Sequence, residues 1–281
     1  MGTKHSLTLN DDSSVHYWDY HTSKKPVIIM IHGFRGTHHG LEKIVEQLPE
    51  FRIIVPDLPG FGESNALRTH HSLEAYVHFL DMFIAALSLS HPPALLGHSF
   101  GSIIASHFAA QYPKQLTKLI LVNPIGAPAL QGPRGIMTRL AIGYYWLGRT
   151  LPESMGKKWL STKSIVKIMS MTMAKSNDKK VRSFVHDQHL QHFSSFASPK
   201  VVAETFHASV SSDVSIVADK LHVPTLLVVG EKDDITTLDK QRQLKERIKL
   251  SELAIITDVG HLIHYEKPHE AANAIKQFLQ Q

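Results

Sequence analysis

Gly97-His98-Ser99-Phe100-Gly101 is the stretch of this 281-residue chain whose residue types and spacing bear most directly on chemistry. It follows the apolar run Ala94-Leu95-Leu96 and precedes Ile103, Ile104 and Phe108, so G-x-S-x-G falls where a strand turns into a helix. Both glycines suit a turn too sharp for a Cβ to pass the neighbouring backbone. Such a turn presents the Ser99 hydroxyl above a helix N-terminus, which favours negative charge. A serine hydroxyl is a poor nucleophile alone; it needs a base, and the base needs an acid to orient it. Gly230-Glu231-Lys232-Asp233-Asp234 follows the apolar run 225–229, and Asp258-Val259-Gly260-His261 follows the run 253–256. Each group lies just beyond a strand's C-terminal end, where an open α/β sheet places its site. The expectation is that His261 takes the Ser99 proton and Asp233 holds the imidazole, with Asp234 and Asp258 as competing acids.

Attack by Ser99 on a carbonyl creates an oxyanion that requires two backbone donors. The Phe100 N–H, directly after the nucleophile, is one. The other is expected from His32-Gly33-Phe34-Arg35-Gly36, after the run 27–31, with the Phe34 N–H as the candidate. His32 itself reads as a structural residue bonding loop backbone. The chain has 20 histidines, so position rather than residue type distinguishes His261. The pairs His38-His39 and His70-His71 raise the question of metal. No acidic or cysteine cluster joins them in sequence, and no metal or cofactor is expected.

The elements that would position these residues are legible as apolar runs. Runs at 27–31, 51–55, 94–97, 119–122 and 225–229 read as strands buried on both faces of a parallel sheet, with 253–256 as a sixth. Ser6 to Leu9 and Val15 to Tyr20 flank polar turn residues and read as an antiparallel hairpin at the sheet edge. Leu73, Tyr76, Val77, Leu80, Phe83, Ile84 and Leu87 keep helical spacing behind Ser72, a residue suited to N-capping. Pro268 opens a last helix. Strands alternating with helices predict a mostly parallel sheet covered on both faces.

That alternation stops after Val122 and resumes only at Thr225. A structureless loop of that length would be unusual in a domain, so a helical insertion is expected, with Ile136, Leu140, Tyr144 and Leu147 at helical spacing. Residues 130–200 hold twelve Lys/Arg and three acids, a net +9, whereas the rest of the chain is −4. Thus the overall +5 describes one basic module on a mildly acidic body. No nucleic-acid motif accompanies it. With Trp146 and the methionines at 169, 171 and 173, the segment suits peripheral contact with an anionic membrane or a gate over an acyl chain. The plainer alternative is a solvated helix face.

With no cysteines, disulfides and thiol catalysis are excluded. The N-terminus lacks the apolar segment of a signal peptide, and no run suggests a membrane span, so a cytoplasmic location is the expectation.

Five ordered motifs together carry a resemblance: H-G-F at His32, D-L-P-G-F-G-E-S from Asp57 to Ser64, G-H-S-F-G around Ser99, G-E-K-D-D around Asp233 and G-H-L-I-H-Y-E-K-P from Gly260 to Pro268. The chain resembles the α/β-hydrolase superfamily over about 20–128 and 213–281. The resemblance implies an eight-stranded sheet, a core of 1–128 and 213–281, and a helical cap at 129–212 inserted after strand six. It also implies Ser99–His261–Asp233 catalysis, with the acid third after the strand-end glycine and therefore Asp233. Ser99 argues against the relatives with an aspartate nucleophile, the epoxide hydrolases and haloalkane dehalogenases. Some members place the acid after strand six, where this chain has Asn123; many have glycine where it has Ser102. The function implied is hydrolysis of a carboxylic ester; the inserted segment matches no known lid, so the substrate does not carry over, and a lipid-like or acyl ester is expected from the basic, apolar character of that segment alone. Carbon–carbon hydrolysis of the meta-cleavage-product type is the rival chemistry, and a non-catalytic ligand receptor on the same scaffold is the rival class.

Overall fold

The computed structural model describes residues 2–9, 13–129 and 135–281. Eight strands form one sheet: β1 (Thr3–Thr8), β2 (Ser14–Tyr20), β3 (Val27–Ile31), β4 (Arg52–Pro56), β5 (Ala94–His98), β6 (Leu119–Val122), β7 (Thr225–Gly230) and β8 (Ser251–Ile256). Their spatial order is β1-β2-β4-β3-β5-β6-β7-β8. Strand β2 pairs antiparallel with both β1 and β4, and all later pairings are parallel. After β3 the chain steps outward to β4, then returns past β3 to β5. The reversal leaves a crevice between the C-terminal ends of β3 and β5, the usual ligand position in an open α/β sheet. Both His32 and Ser99 follow strands that border this crevice.

Alternating side chains of the central strands point to opposite faces. Ile29, Ile31, Leu95, Leu119, Leu121 and Leu227 pack with α2 (Leu73–Ala86) and α3 (Phe100–Gln111). Ile28, Met30, Leu96, Ile120 and Val228 pack with the one-turn α1 (Glu42–Val45) and with α11 (Pro268–Gln280). At the start of α2 the Ser72 hydroxyl accepts from the Ala75 N–H, so the expected N-cap is made. The 253–256 run differs from its expected burial. Strand β8 starts at Ser251, pairs only with β7, and leaves Ile255 exposed, because an edge strand is covered less than a central one. The hairpin strand β1 is largely exposed, and its turn residues 10–12 lie outside the described residues.

Among the described residues, five α-helices stand between β6 and β7: α4 (Gly135–Thr150), α5 (Glu153–Leu160), α6 (Lys163–Met173), α7 (Lys179–His192) and α8 (Pro199–Ser211). Tyr145, Leu160, Phe196 and Val202 from this insertion join the apolar cluster on the α2 and α3 side of the sheet. The chain then passes through α9 (Leu238–Arg247) and the one-turn α10 (Ile263–Glu266) to α11. Among the described residues no helix is long and apolar enough to cross a membrane.

Candidate active site

Strand β5 ends at His98, and α3 begins at Phe100, so a single residue makes the turn. Ser99 adopts φ +54° and ψ −119°, a conformation that L-residues avoid. A Cβ on Gly97 would meet the Gly101 backbone, and one on Gly101 would meet the Ile31 carbonyl. The two glycines thus let the strand, the turn and the helix close up beneath the half-buried Ser99. The Ser99 N–H donates to the Val122 carbonyl at 3.1 Å, securing the turn to β6. Ser102 occupies the position where many relatives carry glycine. Its hydroxyl donates to the Ser99 carbonyl and accepts from the Ile125 N–H at 3.2 Å, adding a second tie.

His261 comes from the loop after β8, and Asp233 from the loop after β7. The His261 Nε2 lies 2.8 Å from the Ser99 Oγ, and its Nδ1 lies 2.8 Å from the Asp233 Oδ2. With the ring proton on Nδ1, His261 donates to Asp233 and accepts from the serine hydroxyl. Asp233 is buried, and its other oxygen accepts the Ile235 N–H at 2.7 Å. The neighbouring acids point elsewhere: Asp234 is exposed and pairs with Lys175, while Asp258 pairs with Lys232 at 2.7 Å. Asn123, at φ +43° beyond β6, is not an acid but a brace. Its amide accepts the Gly230 N–H at 2.8 Å and donates to the Gly260 carbonyl at 3.0 Å. It therefore ties the two loops carrying Asp233 and His261, a role its residue type did not reveal.

The loop after β3 borders Ser99 closely: a Cβ on Gly33 would lie 3.1 Å from the Ser99 Cβ. His32 organises this loop. Its Nδ1–H donates to the Gly33 carbonyl at 2.8 Å, while its Nε2 accepts the Leu58 N–H at 2.9 Å. Burial keeps its pKa below the ordinary histidine value. Phe34 packs edge-on to Tyr145 and Phe61 and against Phe206. Phe100 is the first residue of α3, so its N–H is one of the donors a helix start leaves without an intrahelical partner. Ser99, His261, Gly33, Phe34 and Tyr265 line a cavity of about 70 Å³, with His189 and Phe193 supplied by the insertion.

Two further histidines back His261. His98 is buried with its ring 5.4 Å from that of His261, and His264 packs 4.0 Å beyond it. Burial, then the neighbouring His261, pushes the His98 pKa down to about 3; burial likewise holds His264 well below the ordinary value. Both therefore stay neutral near pH 7.

The paired histidines require a correction, because the fold brings a carboxylate to each pair. Glu42 lies one turn beyond His38-His39, and these three form a cluster within 4.8 Å. Glu204, from distant α8, accepts the His71 N–H at 3.1 Å and lies 3.1 Å from the His70 ring. These ring nitrogens already have partners: His38 Nδ1 bonds Asp57 at 2.9 Å, His39 Nδ1 bonds Glu42 at 3.2 Å, and His71 Nδ1 bonds Tyr76 at 2.8 Å. The clusters read as hydrogen-bonded loop anchors.

A strained serine turn between β5 and α3, with an acid and a histidine following later strands of a mostly parallel sheet, defines a class of protein. The chain belongs to the alpha/beta hydrolase fold family, whose model matches residues 26–268. It is 26% identical over 276 residues to Lipase 3 of Moraxella sp. (strain TA144), covering 97% of this chain and 83% of that protein. It is also 26% identical over 266 residues to the monoacylglycerol lipase ABHD6 of Mus musculus, covering 91% and 76%. Among solved structures, a thermophilic esterase from Thermogutta terrifontis superposes with a TM-score of 0.79 at 24% identity, covering 99% of this chain and 98% of that one.

Proposed function

We propose that this chain is a serine hydrolase of carboxylic esters, with lipid-like or acyl esters as its substrates. The observation that carries the reading is the unbroken hydrogen-bonded chain from Ser99 through His261 to buried Asp233, with both links at 2.8 Å. Ser99 Oγ attacks the ester carbonyl carbon as its proton passes to His261 Nε2. The N–H groups of Phe34 and Phe100 hold the resulting oxyanion. Its collapse expels the alcohol, which takes the proton from His261, and leaves an acyl-enzyme. Water, deprotonated by the same histidine, then releases the acid. Asp233 keeps the imidazole in the tautomer that both half-reactions require. Helices α4–α8 serve as a cap over the site, with the core on either side of them in sequence. The lipase names of the relatives favour an acyl ester.

The surface of α4–α6 supports contact with an anionic membrane. Ile136, Met137, Leu140, Trp146, Met155 and Ile168 are each more than half exposed. Arg139, Arg149, Lys157, Lys158, Lys163 and Lys167 are exposed on the same three helices. Apolar side chains framed by cations suit the headgroup region of such a bilayer.

Fluorophosphonate labelling combined with an ester chain-length series tests the enzymatic reading. Labelling at Ser99 and turnover of p-nitrophenyl esters are expected, with longer acyl chains preferred over acetyl. Full labelling of Ser99→Ala would refute the nucleophile assignment. A higher kcat/KM for a vinylogous 1,5-diketone would favour carbon–carbon hydrolysis instead.

A further inference from the structure

Arg35 is among the most deeply buried side chains in the protein, at 1% exposure, yet no carboxylate pairs with it among the described residues. A buried guanidinium needs compensation. Here part of that comes from two backbone carbonyls, both on the inserted helices, while Nη1 is buried without a hydrogen-bond partner. Nε donates to the Phe193 carbonyl and Nη2 to the Leu160 carbonyl, each at 2.9 Å. Leu160 is the last residue of α5, and Phe193 is the C-cap of α7, so the cation faces the negative ends of two helices. The rings of Phe193 and Phe196 flank the guanidinium at 5.0 and 5.4 Å.

The position of Arg35 in the chain gives this contact its consequence. It follows Phe34 directly, in a turn closed by the Gly36 N–H to the Gly33 carbonyl at 3.0 Å. Its φ of +58° is a left-handed conformation that a bulky residue adopts only when its surroundings impose it. Phe34 packs on Tyr145 of α4 and Phe206 of α8. Two consecutive side chains of one short loop therefore engage α4, α5, α7 and α8. The same loop abuts Ser99 at Gly33.

We infer that Arg35 is a positioning residue for the reaction: it makes the placement of the Phe34 N–H depend on the seating of the inserted helices. This rests on the proposed serine-hydrolase reading, in which that N–H holds the oxyanion. When α5 and α7 are seated, Arg35 pins the loop against Ser99. When they shift, the loop loses its tether on that side, and the donor drifts from the developing charge. Small displacements matter here, because a misplacement near 1 Å can cost about 10²-fold in rate.

The experiment compares wild type, Arg35→Gln and Arg35→Lys using end-point fluorophosphonate titration, so that kcat is expressed per competent site. Arg35→Gln is expected to lower kcat per site about 10²-fold with KM changed less than about threefold. Fluorophosphonate labelling should slow in parallel. Arg35→Lys, which keeps the charge and can reach one carbonyl, should recover part of the loss, and it provides the measurement if the glutamine variant does not fold. A lower Tm with unchanged kcat per site would make Arg35 purely structural and overturn the inference. A raised KM with unchanged kcat would make it a substrate anchor and overturn it equally. If Ser99→Ala retains wild-type ester turnover, the serine-hydrolase reading itself falls, an outcome distinct from either.

Discussion

The sheet's crevice and the outer surface of the inserted helices obey opposite rules. In the crevice several polar groups are buried and partnered: Asp233 bonds His261 and the Ile235 N–H, Asn123 spans two loops, and His32 spends both ring nitrogens on backbone. On the insertion, apolar groups are left in the open. Among the described residues, nine of the thirteen exposed large hydrophobic side chains fall between Ile136 and Met171. Burial with hydrogen bonding holds these groups in defined positions. An exposed apolar surface contributes little to the stability of the isolated protein, and large patches of it are unusual on monomeric soluble proteins. Partnered polar groups and open apolar surface thus occupy different parts of one chain, with the Phe34–Arg35 loop lying between them.

The largest expected effect tests the crevice. Ser99→Ala should lower kcat for ester turnover by roughly 10⁴-fold or more, and His261→Ala by as much, because the members of such a constellation act as a unit. Circular dichroism should show both variants folded; retained turnover would dissolve the functional contrast between the two regions.

Next comes the choice of acid. Asp233→Asn should lower kcat by about 10⁴-fold by favouring the wrong imidazole tautomer. Asp234→Asn, at an exposed residue paired with Lys175, should change kcat by less than about twofold, since exposed ion pairs contribute little. The reverse ranking in steady-state kinetics would move the acid.

Acid should destabilise both regions through their neutral histidines. Burial pushes the pKa of His98 down to about 3, and those of His71 and His189 to about 4. Between pH 6.5 and about 4 the unfolded chain binds more protons than the folded one, so stability falls as pH falls through that window. At pH 5 each such histidine should cost about 1–2 kcal/mol. Thermal melts at pH 7.5 and 5 should show a lower Tm at pH 5, and His189→Asn should blunt the decline relative to wild type. An equal Tm at both values would contradict the burial of these rings.

The smallest effect belongs to the insertion's surface. Lys157→Glu with Lys158→Glu should weaken co-sedimentation with anionic vesicles about tenfold or more, and added salt should weaken it for the wild type. Ester turnover in solution should be unchanged. If the wild type does not bind vesicles and prefers acetyl esters, the exposed apolar residues are no membrane surface, and the contrast with the crevice reduces to burial alone.

Much of the crevice was legible because its signals are local. A G-x-S-x-G turn after an apolar run depends on residues within a few positions of one another, as does the Ser72 cap that starts α2. The glutamate one turn beyond His38-His39 was equally local, yet its relevance depends on a helical turn bringing i and i+4 together. Glu204 was not legible beside His70-His71, because 133 residues separate it from His71. Asn123 could be seen not to be a carboxylate, but its amide's two partners come from loops more than a hundred residues away.

The inserted helices show most clearly where sequence stops. The spacing of Ile136, Leu140, Tyr144 and Leu147 established a helix with an apolar stripe, which α4 is. Spacing sets the period of a stripe but not the direction it faces, since a helix is indifferent to rotation about its own axis. Only packing against α8 and the core decided that Tyr145 and Gly148 turn inward while Ile136, Leu140 and Leu147 face solvent. By itself the sequence determined which elements form and in what order the chemical groups leave the strands, because strand, turn and helix preferences act over a few residues. The tertiary structure alone decided which loops Asn123 ties, which carbonyls receive Arg35 and which apolar face stays open. Those outcomes depend on distances between residues far apart in the chain, and such distances exist only once the sheet has closed.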